Sequence, residues 1–202
     1  MSFLSHLFNN DSKRTSREVQ DSYWNIGLLI LTAATKCYDQ ILPHISHSKE
    51  TTQKESEGTI LVQLVFFFQY FALKTVRSKG WSTSEIKRLE KYLVPQIAKV
   101  LINQLFPNVG NSTIELMQKN IIQQWDSIKK DYDSSELFTS ENQLNRTYVS
   151  PKFAMMIAGL CGNIMNNDLI YSIAKLVIEE SENIRSNLTF ENARFASSSD
   201  KS

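Results

Sequence analysis

The 202-residue chain has few residues that interrupt helices, with only six glycines and four prolines. It also lacks an alternating apolar and polar run long enough for a half-buried β-strand. Apolar residues instead recur every three or four positions in six segments, which is the spacing of one face of an α-helix. The sequence therefore predicts an all-α protein, an irregular or orthogonal bundle of about six main helices.

Cysteine is also scarce, and both Cys37 and Cys161 lie inside apolar helical patterns. A small secreted domain held by disulfides would carry more cysteines, in loop-rich contexts. We therefore expect two buried free thiols and a cytoplasmic location. The formal net charge is only +1. The composition thus gives no electrostatic reason to expect a nucleic-acid partner.

The domain organisation follows from the distribution of apolar residues, which make up 42% of the chain and suffice for one core. We predict a flexible N-terminal segment over residues 1–14, a single helical domain over 15–187 and a flexible tail over 188–202.

The most apolar segment predicts a central helix over about residues 52–79. No charged residue occurs from Gly58 to Leu73. This stretch is shorter than the roughly 20 apolar residues that a membrane span needs, which favours a buried helix. Three consecutive phenylalanines at 66–68 cover more than half of the helix circumference, so we expect other helices on all sides.

Capping residues predict where several helices begin and end. Gly80 ends the central helix, and Ser82 with Glu85 forms a capping box that starts the next one. Pro95 should kink or split that helix, because proline removes a backbone donor. Further helix starts are predicted at Thr15, Thr52, Ser112, Ser150 and Asp168.

The fifth helix is predicted to bury one side and to allow a close approach of another helix. Small residues recur four apart at Ala154, Ala158 and Gly162. The residues expected to face the core are Phe153, Met156, Ile157, Leu160 and Ile164.

The sequence contains no recognisable catalytic or metal-binding motif. His44 and His47 are three residues apart, but the only other histidine is His6, and no carboxylate supports them in a metal-site pattern. No glycine-rich phosphate loop or nucleophile motif occurs. We therefore expect neither a metal, nor another cofactor, nor enzymatic activity.

A cluster of basic residues flanks the predicted turn at Gly80, and we call residues 74–91 the basic corner. One interpretation is that its cations complement the C-terminal end of the central helix. The other is that they bind an acidic partner protein, or a second copy of this chain through its acidic stretches 126–141 and 179–191. The candidate residues are Lys74, Arg77, Lys79, Trp81, Lys87, Arg88 and Lys91.

The N-terminus offers a second candidate surface, formed by Phe3, Leu4, Leu7 and Phe8. A short apolar face followed by basic residues fits docking on a partner, contact with a membrane surface, or packing back on the domain.

The sequence therefore favours a non-enzymatic protein-binding subunit or adaptor of a larger assembly. The first alternative is a helical binder of an apolar small molecule or lipid. The second is a protein associated with a membrane surface, with the first two helices as a membrane-active hairpin. The residues considered for an apolar pocket are Phe66, Phe67, Phe71, Met155, Met156 and Met165.

Overall fold

The computed structural model describes residues 16–45, 53–135 and 152–188, and these ranges contain six α-helices and no strand. A short 3-10 turn, Leu42–His44, follows the first helix. The all-α prediction is confirmed. The helices are α1 Ser16–Ile41, α2 Gln53–Ser78, α3 Thr83–Leu105, α4 Asn111–Asp133, α5 Ala154–Leu160 and α6 Asn167–Asn187.

Helix α2 lies at the centre of the bundle and contacts all five other helices. Phe67 is 1% exposed, and its ring centroid lies 4.3 Å from that of Phe153 and 5.4 Å from that of Phe68. Within the described residues, one helical segment is long and apolar enough to cross a membrane, Glu57–Ser78, and 78% of its most apolar window is buried. The prediction of a central, enclosed apolar helix is confirmed.

The turn between α2 and α3 forms as local sequence predicts. Gly80 adopts a φ of 91°, in the left-handed region that side chains disfavour. The Glu85 backbone N–H donates to the Ser82 hydroxyl, and the Ser82 N–H donates to the Glu85 carboxylate at 2.5 Å. This reciprocal capping box holds the two helices as a hairpin.

Pro95 was predicted to kink or split helix α3. The helix runs through Pro95 without a break, so the split does not occur. The ring removes only the donor for the Lys91 carbonyl. Leu93 and Ile97, on either side of the proline, are buried in the core and keep the helix in place. The side-chain amide of Gln118 on α4 donates to the Pro95 carbonyl at 3.0 Å.

Two predicted N-cap residues each lie two positions too late in the sequence. Helix α4 begins at Asn111 with Gly110 as its N-cap, not at Ser112. Helix α6 is capped by Asn166, whose side chain accepts from the Leu169 N–H, not by Asp168. The predicted starts at Thr15, Thr52 and Ser150 lie outside the described residues.

Helix α5 is shorter than expected because Gly162 adopts a φ of 76° and ends it. The Asn163 N–H donates to the Ala158 carbonyl at 2.8 Å and closes the turn. Gly162 therefore forms a turn and is not part of a small-residue helix face. Met156 and Ile164, predicted to face the core, are 39% and 53% exposed. Met156 lies on the side of the short helix that is not buried, and Ile164 lies in the turn after the helix ends.

Cys37 and Cys161 are buried free thiols, as predicted. The predicted N-terminal segment 1–14 and residues 189–202 of the predicted tail lie outside the described residues. Leu188, the first residue of that tail, is buried.

Candidate functional site

A groove runs between α3 and α4 and continues to the last turns of α2. It comprises two adjoining cavities of about 360 and 90 Å³. Lys87, Glu90 and Lys129 line both cavities, so the two form one continuous feature, which we call the groove. The larger cavity is also lined by Lys91, Val94, Pro95, Ile122, Trp125 and Asp126, and the smaller one by Tyr70, Leu73, Lys74, Arg77, Thr83, Ile86 and Asp133.

Helical spacing explains why these side chains converge. On α4 the lining residues Ile122, Trp125, Asp126 and Lys129 follow the i, i+3, i+4, i+7 pattern, and the α3 residues from Thr83 to Pro95 repeat this pattern. Residues so spaced share one face of a helix. The groove is thus the seam where the facing sides of two consecutive helices do not close completely.

Glu90 joins the two walls of the groove. Its carboxylate accepts a hydrogen bond of 2.9 Å from the Trp125 indole N–H and is bonded through both oxygens to the Lys129 ammonium, at 2.6 and 2.7 Å. The Glu90 side chain is 16% exposed. A carboxylate this buried needs such partners to offset its lost hydration. Glu90 therefore fixes the position of α4 relative to α3.

A second polar cluster closes the groove at the α2 end. The Tyr70 hydroxyl donates to an Asp133 carboxylate oxygen at 2.5 Å, and the Lys74 ammonium lies 3.0 Å from the same oxygen. Burial raises the pKa of Asp133, but the bonds from Tyr70 and Lys74 outweigh burial and hold that pKa below its usual value. Burial, followed by the bond to Asp133, raises the pKa of Tyr70. The cluster is thus a fixed structural contact between α2 and α4.

Three cations along the groove have no such contact. Arg77, Lys87 and Lys91 are exposed and form no hydrogen bond or ion pair with another residue in the described part of the chain. The groove contains five basic and three acidic residues, an excess of two positive charges. Beside Lys91, the wall is apolar and is formed by Val94, Pro95, Ile122 and Trp125.

The structure divides the predicted basic corner into two sets. Four of its residues, Lys74, Arg77, Lys87 and Lys91, line the groove. Lys79 and Trp81 instead make internal contacts, as described next. Arg88 is exposed on α3 and is not among the residues that line either cavity.

Lys79 and Trp81 line neither cavity, because both side chains make contacts elsewhere in the fold. The Lys79 ammonium donates to the Arg185 carbonyl at 3.0 Å and also to the Leu188 carbonyl, at the end of α6. It thereby satisfies terminal helix acceptors. The Trp81 side chain is 6% exposed, and its ring centroid lies 6.3 Å from that of Tyr23. Neither residue is therefore part of the groove.

Other candidates from the sequence do not form a site within the described residues. No group of three or more histidine, cysteine or acidic side chains is placed to hold a metal in those ranges. Burial raises the pKa of Cys37 to about 12 and that of Cys161 to about 11, so both thiols are protonated at neutral pH. The N-terminal candidates Phe3, Leu4, Leu7 and Phe8, and His47, lie outside the described residues.

The residues considered for an apolar pocket do not line one cavity within the described residues. The phenylalanines at 66, 67 and 71 are at most 2% exposed in the core, whereas Met155, Met156 and Met165 are 41%, 39% and 89% exposed. These six side chains therefore do not enclose a ligand together.

No family model matches the sequence, and comparison with curated proteins and with solved structures gives no match either. We therefore infer function from the geometry and charge of the groove.

Proposed function

We propose that this chain is a non-enzymatic, cytoplasmic subunit of a larger protein assembly, and that its groove binds an acidic surface of another protein. One observation carries the proposal. Arg77, Lys87 and Lys91 lie along the groove without an ion-pair partner among the described residues, next to an apolar wall. A surface that combines apolar area with unpaired charge of one sign suits an oppositely charged protein.

Other basic residues of this region differ from Arg77, Lys87 and Lys91 because they are bound within the fold. Lys74 and Lys129 are bound to carboxylates, and Lys79 is bound to the end of α6. These three cations stabilise the fold. Arg77, Lys87 and Lys91 raise the local positive potential and have no ion-pair partner among the described residues.

The energetic roles of the two parts of the groove differ. An exposed ion pair contributes only about 0.2–1 kcal/mol, so the lysines alone give weak affinity. Buried apolar area contributes about 25 cal/mol per Å². Trp125 and Val94 are only 1% and 7% exposed, so a partner's apolar contact in the larger cavity is mainly with the half-buried Pro95 and Ile122, and it adds a modest share of the affinity. The cations instead select an acidic partner and accelerate its association, in a salt-dependent way.

The test is a quantitative co-purification from cells that naturally produce the protein. Wild type is compared with the charge-reversed Lys87→Glu/Lys91→Glu variant. The control is Lys99→Glu/Lys175→Glu, which changes the net charge equally at exposed positions that line neither cavity. Lys175 loses only an exposed 3.8 Å pair with Glu179. Circular dichroism and thermal unfolding of each variant check the fold.

We expect wild type and the control to carry the same protein at a near-equimolar ratio. The groove variant should carry about tenfold less, the loss that about 1.4 kcal/mol of binding free energy produces. An unchanged ratio in the folded groove variant, or a wild type that carries no protein near that ratio, would contradict the proposed function.

A further inference from the structure

We propose that the partner segment in the groove is an acidic amphipathic α-helix. This inference rests on the proposed function and specifies the chemistry of the partner. Three properties of the groove support it: its length, the mixture of apolar and basic residues along it, and the helices that form its walls.

The length of the groove fits a short helix. Along α3 it extends from Thr83 to Pro95, which is about 18 Å at 1.5 Å per residue. About three helical turns fill that length, whereas an extended peptide would fill it with only five or six residues.

Apolar and basic residues lie side by side along the whole groove. Pro95 and Ile122 line the larger cavity together with Lys91, and Ile86 lines the smaller one together with Arg77. Lys87 lines both, so the positive charge continues from one cavity to the other. A matching ligand places carboxylates against Arg77, Lys87 and Lys91, and apolar side chains against Pro95 and Ile122. Both kinds of side chain must lie on one side of the ligand.

The walls favour a helical ligand over an extended one. The groove is formed by helices, and the described residues contain no strand whose free edge would pair with an extended peptide. Lys87 and Lys91 are four residues apart on one face of α3. Carboxylates that are three or four residues apart on a facing helix have a similar separation. A helix thus meets both lysines while its apolar side faces the wall.

Two other occupants fit the groove less well. A nucleic acid would place a dense row of negative charges beside the carboxylates of Glu90, Asp126 and Asp133. A second copy of the chain would offer α6 as its acidic helix. On that helix Glu180 is bonded to Lys36, and Glu182 to Arg185.

The experiment selects ligands without assuming a partner. A phage library of random peptides of about 14 residues, roughly 21 Å as helices, is selected on the wild-type protein. Binders that also bind Lys87→Glu/Lys91→Glu are removed. Binders that fail on the control Lys99→Glu/Lys175→Glu are also removed. The selected peptides are then synthesised with a fluorescent label, and anisotropy gives their affinities. A central proline is introduced into each to disrupt the helix.

We expect selected peptides to carry acidic residues three or four apart beside apolar residues at the same spacing. The central proline should weaken binding about tenfold or more. Peptides with alternating two-residue periodicity, affinity unchanged by the proline, or no binders that need Lys87 and Lys91 would overturn the inference. If co-purification still depends on those lysines, the proposed function stands and only the helical partner is wrong.

Two parallel measurements test the other occupants. A DNA duplex that binds the groove more tightly than the selected peptides would overturn the inference in favour of a nucleic acid. Sedimentation velocity that shows dimers in wild type but monomers in Lys87→Glu/Lys91→Glu would overturn it in favour of a second copy. We expect weak DNA binding and the same oligomeric state in both proteins.

Discussion

Glu90 on α3 accepts a hydrogen bond of 2.9 Å from the indole of Trp125 on α4, and this contact forms the floor of the groove. The indole is 1% exposed and packs with its ring centroid 5.8 Å from that of Phe66 on α2. One carboxylate therefore connects the central apolar helix, through Trp125, to the charged surface. The groove geometry depends on this connection.

Glu90→Ala should destabilise the protein by about 1–3 kcal/mol, because it leaves the buried Trp125 N–H without an acceptor. Glu90→Gln keeps a carbonyl oxygen for the indole and loses the ion pair with Lys129, so its loss should be smaller. Urea unfolding gives both free energies. Equal losses for the two variants would show that the bond to Trp125 does not matter.

Two tyrosine hydroxyls near the groove should differ in their effect on the free energy of unfolding. The Tyr70 hydroxyl donates to Asp133, whereas the buried Tyr132 hydroxyl has no partner among the described residues. Tyr70→Phe should cost about 1.5–3 kcal/mol, typical of a hydrogen bond to a charged group. Tyr132→Phe should be neutral or stabilising by up to about 1 kcal/mol. Chemical unfolding of the two variants is the measurement, and a larger loss for Tyr132→Phe would contradict this assignment.

Asp133 should make stability depend on pH in acid. Its pKa is lowered in the folded protein, so its ionised form stabilises the fold above the unfolded pKa of about 3.9. That contribution is lost as the pH falls through the lower folded pKa. The difference in unfolding free energy between wild type and Asp133→Asn should therefore be constant near neutral pH and shrink below about pH 4.

The comparison for Asp133 is Asp131→Asn, because the Asp131 side chain makes no ion pair with another described residue. Urea unfolding from pH 7 to pH 3 measures both. A difference for Asp133→Asn that grows in acid would have the wrong sign for this account.

The centre of the bundle should be the most sensitive region of the described fold. Phe67→Ala removes a ring that is 1% exposed and packs on Phe153, and should cost about 3–5 kcal/mol. Met165→Ala, at a position that is 89% exposed, should change stability by no more than about 0.5 kcal/mol. Thermal and urea unfolding should rank the two variants in this order. Similar small losses would mean that α2 is not the centre of the core.

Local signals predicted the parts of the fold that depend on a few neighbouring residues. Gly80, Ser82 and Glu85 define the hairpin by themselves, and the apolar run around Phe67 defines a buried helix. The end of α5 was predicted wrongly. Gly162 is compatible both with a small-residue helix face and with a left-handed turn, and only the packed structure selects the turn.

Only part of the candidate site was predicted from the sequence, because the site combines neighbouring residues with residues that are distant along the chain. The charge cluster in the sequence includes Lys87 and Lys91, but Trp125 and Lys129 lie more than thirty positions further along the chain. Their four-residue spacing on α4 is visible in the sequence. That this face meets α3 follows only from the packing. Trp81 was predicted wrongly as a surface residue because it lies within a charged stretch of the sequence, whereas its side chain is buried.

Site-specific photo-crosslinking in living cells tests most directly whether the groove is the partner-binding surface. A crosslinking amino acid replaces Asp126, which is exposed and lines the groove, or Asn120, which is exposed and points to the opposite side of α4 by helical geometry. The account predicts that the Asp126 position crosslinks the same protein that co-purifies near equimolar ratio, whereas the Asn120 position does not. Crosslinking of that protein at Asn120 but not at Asp126 would contradict it.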